Sequence, residues 1–216
     1  MFAARLIFLV FSLALLPRLA EAAPLARDLG AELIYVRVRE LPGDLPTQPA
    51  GPAPACVVDV RYVPADRDVA SAFSAWLKFR ATVRSPVFVL ANRETSVELR
   101  RVIREPHRGT GIVVIGIAGP DFEPDVAVRS TPENEKLAYE ALGKETPLSA
   151  LLADHPDKLR NDEARLARPS APPPEDEPAD TAKPGSPGVD ATLQRAVHLH
   201  RSLVALRRNQ GNRGGG

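Results

Sequence analysis

Two short, continuously apolar segments constrain the fold of this chain more than any other feature. Residues 86–91 (PVFVLA) and 111–117 (GIVVIGI) each have the length of a strand, and neither alternates apolar with polar residues. Such runs are typical of strands that are buried on both faces of a parallel sheet. The segment between them, 96–104, has the pattern of a short amphipathic helix and could supply the crossover that parallel strands need.

The flanking segments extend the same alternation of strands and helices. A helix is predicted to begin at Asp66 or Asp68 and to run to about residue 83, and another begins at the Thr131-Pro132-Glu133 signal, in which threonine is the N-cap. Strands alternating with helices of roughly 10 to 15 residues predict an α/β fold with a mostly parallel sheet. The additional predicted strands are 33–38, 56–61 and 125–128.

The first 22 residues have the pattern of an export signal. Arg5 precedes an apolar run at 6–16, and the Ala20-Glu21-Ala22 sequence fits the small-x-small pattern of a cleavage site. The apolar run is much shorter than the roughly 20 residues that a membrane-spanning helix needs. We therefore expect an exported protein, periplasmic or extracellular.

The remaining chain divides into three regions. Residues 31–166 carry the strand and helix periodicity and are predicted to form the α/β domain. Residues 167–188 contain seven prolines among acidic and small residues, which is typical of a disordered linker. Residues 189–216 are predicted to form an amphipathic helix with a glycine-rich tail.

Composition excludes several classes of function. The 28 basic and 27 acidic residues nearly cancel, which argues against nucleic-acid binding through a general basic field. Cys56 is the single cysteine, so neither an intrachain disulfide nor a CxxC site can form. His198 and His200 are two positions apart and would point to different faces of a helix, unlike the i,i+4 spacing of helical metal ligands. We expect no cofactor and no metal.

Three segments, in order, resemble the core of the S41 (tail-specific, C-terminal processing) serine peptidases, which have a ClpP/crotonase-like fold. Residues 57–66 (VVDVRYVPAD) are similar to the family's "LILDLRGNPGG" strand and turn. Residues 86–98 (PVFVLANRETSVE) are similar to its nucleophile segment, "PVVVLVNxxTASASE". Residues 117–128 (IAGPDFEPDVAV) are similar to its closing "GIxPDIxV" strand. The resemblance implies that Ser96 stands at the position of the nucleophile and that Ala65 and Asp66 stand in the oxyanion region.

The same comparison implies that catalysis has been lost. The family's base is a lysine in a "GKG" segment, and no such segment lies between the strand at 111–117 and the closing motif. Ala65 and Asp66 replace glycines of the oxyanion hole, and a carboxylate there would repel the developing oxyanion. We therefore expect a binding or scaffolding module of the cell envelope. The alternatives are an active serine peptidase that uses Ser96 and an unrelated periplasmic α/β ligand-binding domain.

Several candidate residues also have a purely structural interpretation. Thr95 or Ser96 fits the N-cap of the following helix, with Glu98 in its first turn, and this interpretation is favoured over a nucleophile. Asp59 and Arg61 form either a site pair or a buried ion pair at the end of a strand.

The C-terminal helix is predicted to move independently of the domain, because a long linker precedes it. The alternative is that its apolar stripe folds back onto its own domain. From residue 191 to the end of the chain there are five arginines and no acidic residue. The partner is therefore expected to be an unknown protein or peptide, or an anionic envelope surface contacted through Arg195, Arg201, Arg207 and Arg208.

Overall fold

A single sheet forms the centre of the fold. The computed structural model describes residues 25–47, 53–105, 109–144, 146–152 and 188–213. Neighbouring strands from β2 to β6 pair in parallel, and β1 pairs antiparallel with β2. The mostly parallel α/β sheet predicted from the sequence is confirmed. Within the described ranges its strands, in both chain order and spatial order, are β1 Leu25–Asp28, β2 Leu33–Arg37, β3 Ala55–Asp59, β4 Val87–Leu90, β5 Ile112–Gly116 and β6 Val126–Ala127.

Helices cover the sheet on both faces. The helices α1 (Arg67–Arg80) and α2 (Val97–Ile103) pack on one face and bury Phe73, Leu77 and Leu99 there. The other face is covered by helices that bury Leu142, Leu151 and Leu193. The result is a three-layer arrangement with a hydrophobic core on each side of the sheet. The helices of the second face are α3 Pro132–Gly143, α4 Leu148–Leu151 and α5 Ala191–Arg213.

Successive strands are added to the sheet in one direction only, from β1 to β6. The strand order follows the chain order, and the β3–β4 and β4–β5 connections, which contain α1 and α2, lie on the same face. The sheet is therefore not doubly wound. Because β2 to β6 are parallel, their carboxyl ends share one edge, and the loops that follow β3, β4 and β5 meet there.

Two features extend beyond the sequence prediction. Strand β1 lies before residue 31, and its antiparallel pairing closes a hairpin with β2 through Gly30, Ala31 and Glu32, which all have positive φ. The short helix α4 is also an addition. The predicted export signal, 1–22, and almost all of the predicted linker, 167–188, lie outside the described residues. No helix in the described part of the chain is long and apolar enough to cross a bilayer.

The expectation that the C-terminal helix moves independently is wrong. Leu193, Ala196 and Val197 of α5 are buried in the core of the second sheet face. His200 is also buried, and its Nε2 donates a hydrogen bond to the carbonyl oxygen of Ala31, 2.7 Å away. The physical reason is burial: α5 covers apolar side chains of β2, β3 and β4 that would otherwise face water.

Candidate functional site

A cleft opens at the edge of the sheet where the parallel strands end. Tyr62 follows β3, Asn92 follows β4 and Ile117 follows β5, and all three line the cleft. Its volume is about 950 Å³, which is the size of a ligand pocket. The cleft is therefore the candidate binding site. Its charged lining residues are Arg93, Glu94, Arg100, Asp121, Glu133, Glu135 and Lys136.

Glu135 is the buried carboxyl group of the cleft. It lies in the first turn of α3, which begins there because the Thr131 hydroxyl caps the Asn134 N–H and Pro132 occupies the first turn. Asn92 Nδ2 donates to Glu135 Oε2 at 2.9 Å, and the Thr192 hydroxyl donates to Oε1 at 3.3 Å. Residues of two other segments thus hold the Glu135 carboxyl group at the cleft.

Beneath the cleft lies a buried ion cluster centred on Arg61. Its guanidinium is completely buried and donates to both carboxylate oxygens of Asp59, with Nε at 3.0 Å and Nη2 at 2.7 Å. It also donates to both oxygens of Asp190, with Nη1 at 3.2 Å and Nη2 at 2.8 Å. The Tyr35 hydroxyl donates to Asp59 Oδ2 at 2.8 Å. Asp59 and Arg61 are therefore a buried ion pair. Asp190, at the start of α5, is a second carboxylate paired with Arg61.

The cluster contains more acidic groups than basic ones. Glu135 Oε1 lies 3.7 Å from Arg61 Nη1, so one guanidinium faces three carboxyl groups. Burial raises the pKa of the Glu135 carboxyl above its ordinary value of 4.5, and the nearby Asp190 and Asp59 carboxylates add to this, although Arg61 and Asn92 oppose it. Glu135 is thus easier to protonate than an ordinary glutamate, and it lines the cleft.

Tyr62 lines the cleft and belongs to an aromatic pair. Tyr62 has a φ of +64°, a left-handed backbone conformation that non-glycine residues rarely adopt, and its ring packs on Tyr139 with 4.8 Å between centroids. The Arg37 guanidinium lies over the ring of Tyr139, with 3.7 Å between its central carbon and the ring centroid. Burial, followed by the charge of Glu135, raises the pKa of Tyr62 to about 12. The Tyr62 hydroxyl therefore stays protonated and can donate a hydrogen bond at neutral pH.

The rim of the cleft carries charges of both signs. Arg93 pairs with Glu94 at the surface, at 3.3 Å. Arg100 is held by the backbone, because its Nε donates to the carbonyl of Thr95 and its Nη1 to the carbonyl of Asp121. With three basic and four acidic side chains among its lining residues, the cleft has no strong field of one sign.

Ser96 does not line this cleft. It is the N-cap of α2, where its hydroxyl accepts a hydrogen bond from the Leu99 N–H at 3.4 Å, as the structural interpretation predicted. Among the described residues, no lysine or histidine nitrogen hydrogen-bonds to its hydroxyl. The lysine and histidine residues outside the described ranges are Lys158, Lys183, His107 and His155.

The residues in the oxyanion region also have a structural role. Asp66 is the N-cap of α1, and its Oδ1 accepts a hydrogen bond from the Val69 N–H at 2.9 Å. Ala65, beside it, packs against the core under α1. Neither residue lines the cleft. The three positions that the resemblance assigns to catalysis therefore lie apart from the one pocket described above.

The described ranges contain no cluster of three or more His, Cys, Asp or Glu side chains suited to hold a metal ion.

The C-terminal arginines differ in their exposure and contacts. Arg195, Arg201 and Arg208 are exposed, whereas Arg207 donates to the backbone carbonyls of Val83 and Arg84 at the end of α1. Contact of the exposed arginines with an anionic surface stays a prediction.

Sequence reasoning found only part of this site. It singled out Asp59, Arg61 and the Thr131 helix start, but it missed Glu135, Asn92 and the contribution of α5. A usable signal existed at Asp190, which precedes the predicted helix directly and accepts from the Leu193 N–H as its N-cap. Nothing in the local sequence pairs that cap with Arg61, 129 positions earlier.

No family model, curated protein or solved structure matches this chain. The likeness to S41 peptidases therefore rests on the three sequence segments alone. The site has to be interpreted from its own geometry.

Proposed function

We propose that this chain is an exported, S41-peptidase-like binding module of the cell envelope that has lost catalysis and binds its partner in the cleft. One observation supports this more than any other. The cleft is lined by Glu135, Tyr62 and Asn92, whereas the serine and aspartate implied in catalysis, Ser96 and Asp66, serve as helix caps. The cleft can therefore hold a ligand without presenting a nucleophile to it.

The lining indicates the kind of partner. A polyanion is disfavoured, because the basic rim residues are matched by acidic ones and two of them, Arg93 and Arg100, are already engaged. A peptide segment suits the cleft better: the half-buried Tyr62 hydroxyl can pair with a peptide group. Apolar side chains such as Ile117 and Pro132 can pack on side chains of the segment.

We expect Gly119→Leu to weaken peptide binding by about tenfold or more, because the new side chain would occupy the cleft. A Cβ added at Gly119 meets no atom within 4 Å, so the fold should tolerate the change. The measurement is a titration of the ¹⁵N-labelled protein with a synthetic pool of unstructured peptides of mixed charge, followed by amide chemical shifts.

The matched control is Gly188→Leu, which also places a side chain in open space but does not line the cleft. The proposal predicts shifts at cleft residues in the unsubstituted protein and in Gly188→Leu, and their loss in Gly119→Leu. Absence of cleft shifts with every peptide, or equal binding by the two variants, would contradict it.

A further inference from the structure

We propose that the exposed side of helix α5 docks on a membrane surface rich in anionic lipids, with Arg195, Arg201 and Arg208 as its contacts. The helix keeps its packing on the sheet in this interaction, so the surface is preformed. It is separate from the cleft, whose lining includes no residue of α5, and it needs no ligand there.

Basic side chains follow one another along the exposed side of α5. His198, Arg201 and Arg208 are three and then seven positions apart, which places them on the same side of a helix. Arg195 comes three positions before His198, and it is exposed like Arg201 and Arg208. The packed side of the same helix carries its buried residues, which are Thr192, Leu193, Ala196, Val197 and His200.

These basic groups influence one another and have no acidic partners in the described part of the chain. Burial, followed by the charges of Arg201 and Arg195, lowers the pKa of His198. None of the ion pairs among the described residues involves Arg195, Arg201 or Arg208, and the sequence of α5 contains no acidic residue. Like charges on one side of a helix repel one another. The phosphate groups of an anionic surface would supply the missing counter-charges.

The second half of α5 lies at the edge of the sheet where the parallel strands begin. His200 is hydrogen-bonded to the β1–β2 hairpin, and Arg207 donates to the backbone carbonyls of Val83 and Arg84, shortly before β4. Arg207 therefore fixes the helix to the domain, while the exposed Arg84 adds a basic residue to this edge. None of residues 201–210 is buried, so this part of the helix is open to a flat partner.

A lipid surface fits this side of α5 better than a nucleic acid does. Leu206 is one of the large apolar side chains that the fold leaves exposed, and it lies between Arg201 and Arg208 in the sequence. Exposed apolar residues beside basic ones are typical of helices that lie in the interface of an anionic membrane, where the apolar side chain leaves water. A nucleic-acid backbone would neutralise the arginines but would offer Leu206 no apolar environment.

The test is partitioning of the full chain onto vesicles, measured by flotation. One set of vesicles is phosphatidylcholine with about one-third phosphatidylglycerol, and the other is phosphatidylcholine alone. The ratio of the two partition coefficients isolates the contribution of charge, because the apolar run at 6–16 is present in every sample. Each arginine near an anionic surface contributes about fivefold, so three arginines predict a ratio of roughly 100, which high salt should abolish.

A pair of double variants shows whether α5 carries this preference. In Arg201→Gln/Arg208→Gln the ratio should fall by about 30-fold, because two of the contributions are lost. The matched control is Arg67→Gln/Arg129→Gln, which removes two exposed arginines outside α5 and gives the same net charge. Its ratio should equal that of the unsubstituted protein. Equal losses in the two double variants, or no preference of the unsubstituted protein for anionic vesicles, would overturn the proposal.

A second arm distinguishes lipid from nucleic acid. Leu206→Ser should weaken binding to the anionic vesicles by about tenfold, because a lipid interface removes the leucine side chain from water. The unsubstituted protein should bind a short DNA duplex more weakly than the anionic vesicles at equal phosphate concentration. Tighter binding to the duplex, or unchanged vesicle binding by Leu206→Ser, would overturn the choice of a lipid surface.

Discussion

Arg61→Met is expected to lower the free energy of unfolding by about 3–5 kcal/mol at pH 7, the scale for removing one partner of a buried ion pair. The substitution leaves the carboxyl groups of Asp59, Asp190 and Glu135 together, buried and without a cation. A domain of ordinary stability holds only about 5–15 kcal/mol in total, so the variant would lose a large fraction of its stability. Urea denaturation at pH 7 measures the loss.

Two comparisons separate this effect from a general loss of charge. Arg93→Met removes an exposed arginine that pairs with Glu94 and should stay within about 0.5 kcal/mol of the unsubstituted protein. The deficit of Arg61→Met should shrink as the pH is lowered, because the pKa of Glu135 is raised by burial and a proton on that carboxyl group relieves part of the repulsion. A loss below about 1 kcal/mol at pH 7 would show that the cluster does not hold the fold together.

Leu193→Ala is expected to cost about 2–5 kcal/mol, the range for truncating a buried leucine. Leu193 lies on α5 but is completely buried, in the same cluster as Leu33, Phe88 and Leu142. The loss arises because the cavity would open between α5 and the sheet. Urea denaturation followed by circular dichroism measures it.

The same helix provides the control. Leu206 is 57% exposed, so Leu206→Ala should change the free energy of unfolding by no more than about 0.5 kcal/mol. A helix that moved independently would give small effects at both positions. A loss at Leu193 below about 1 kcal/mol would therefore contradict docking of α5.

The sheet could be predicted because its signals are local. The apolar runs at β4 and β5, the caps Asp66 and Thr131, and the alternation of strand and helix each lie within a few residues of one another. Strand β1 escaped prediction because it has four residues, LARD, two of them charged, and its stability comes from pairing with β2.

The site could be predicted only in part, because its decisive contacts are remote in sequence. Asp59 and Arg61 are two positions apart and were recognised as a pair, but Asp190 is 129 residues from Arg61 and Glu135 is 43 from Asn92. Periodicity indicates which face of a helix is apolar but does not indicate what covers that face. The stripe on α5 was therefore recognised, whereas the sequence did not decide between independent motion and docking on its own domain.

The most direct test of the central claim, binding without serine catalysis, is labelling of the purified protein with a fluorophosphonate probe, with the modified residue mapped by tandem mass spectrometry. The account predicts no labelling of Ser96 above the background given by Ser96→Ala, because its hydroxyl caps α2 and, among the described residues, hydrogen-bonds to no base. Stoichiometric labelling at Ser96 that disappears in Ser96→Ala would contradict the account and establish an activated nucleophile.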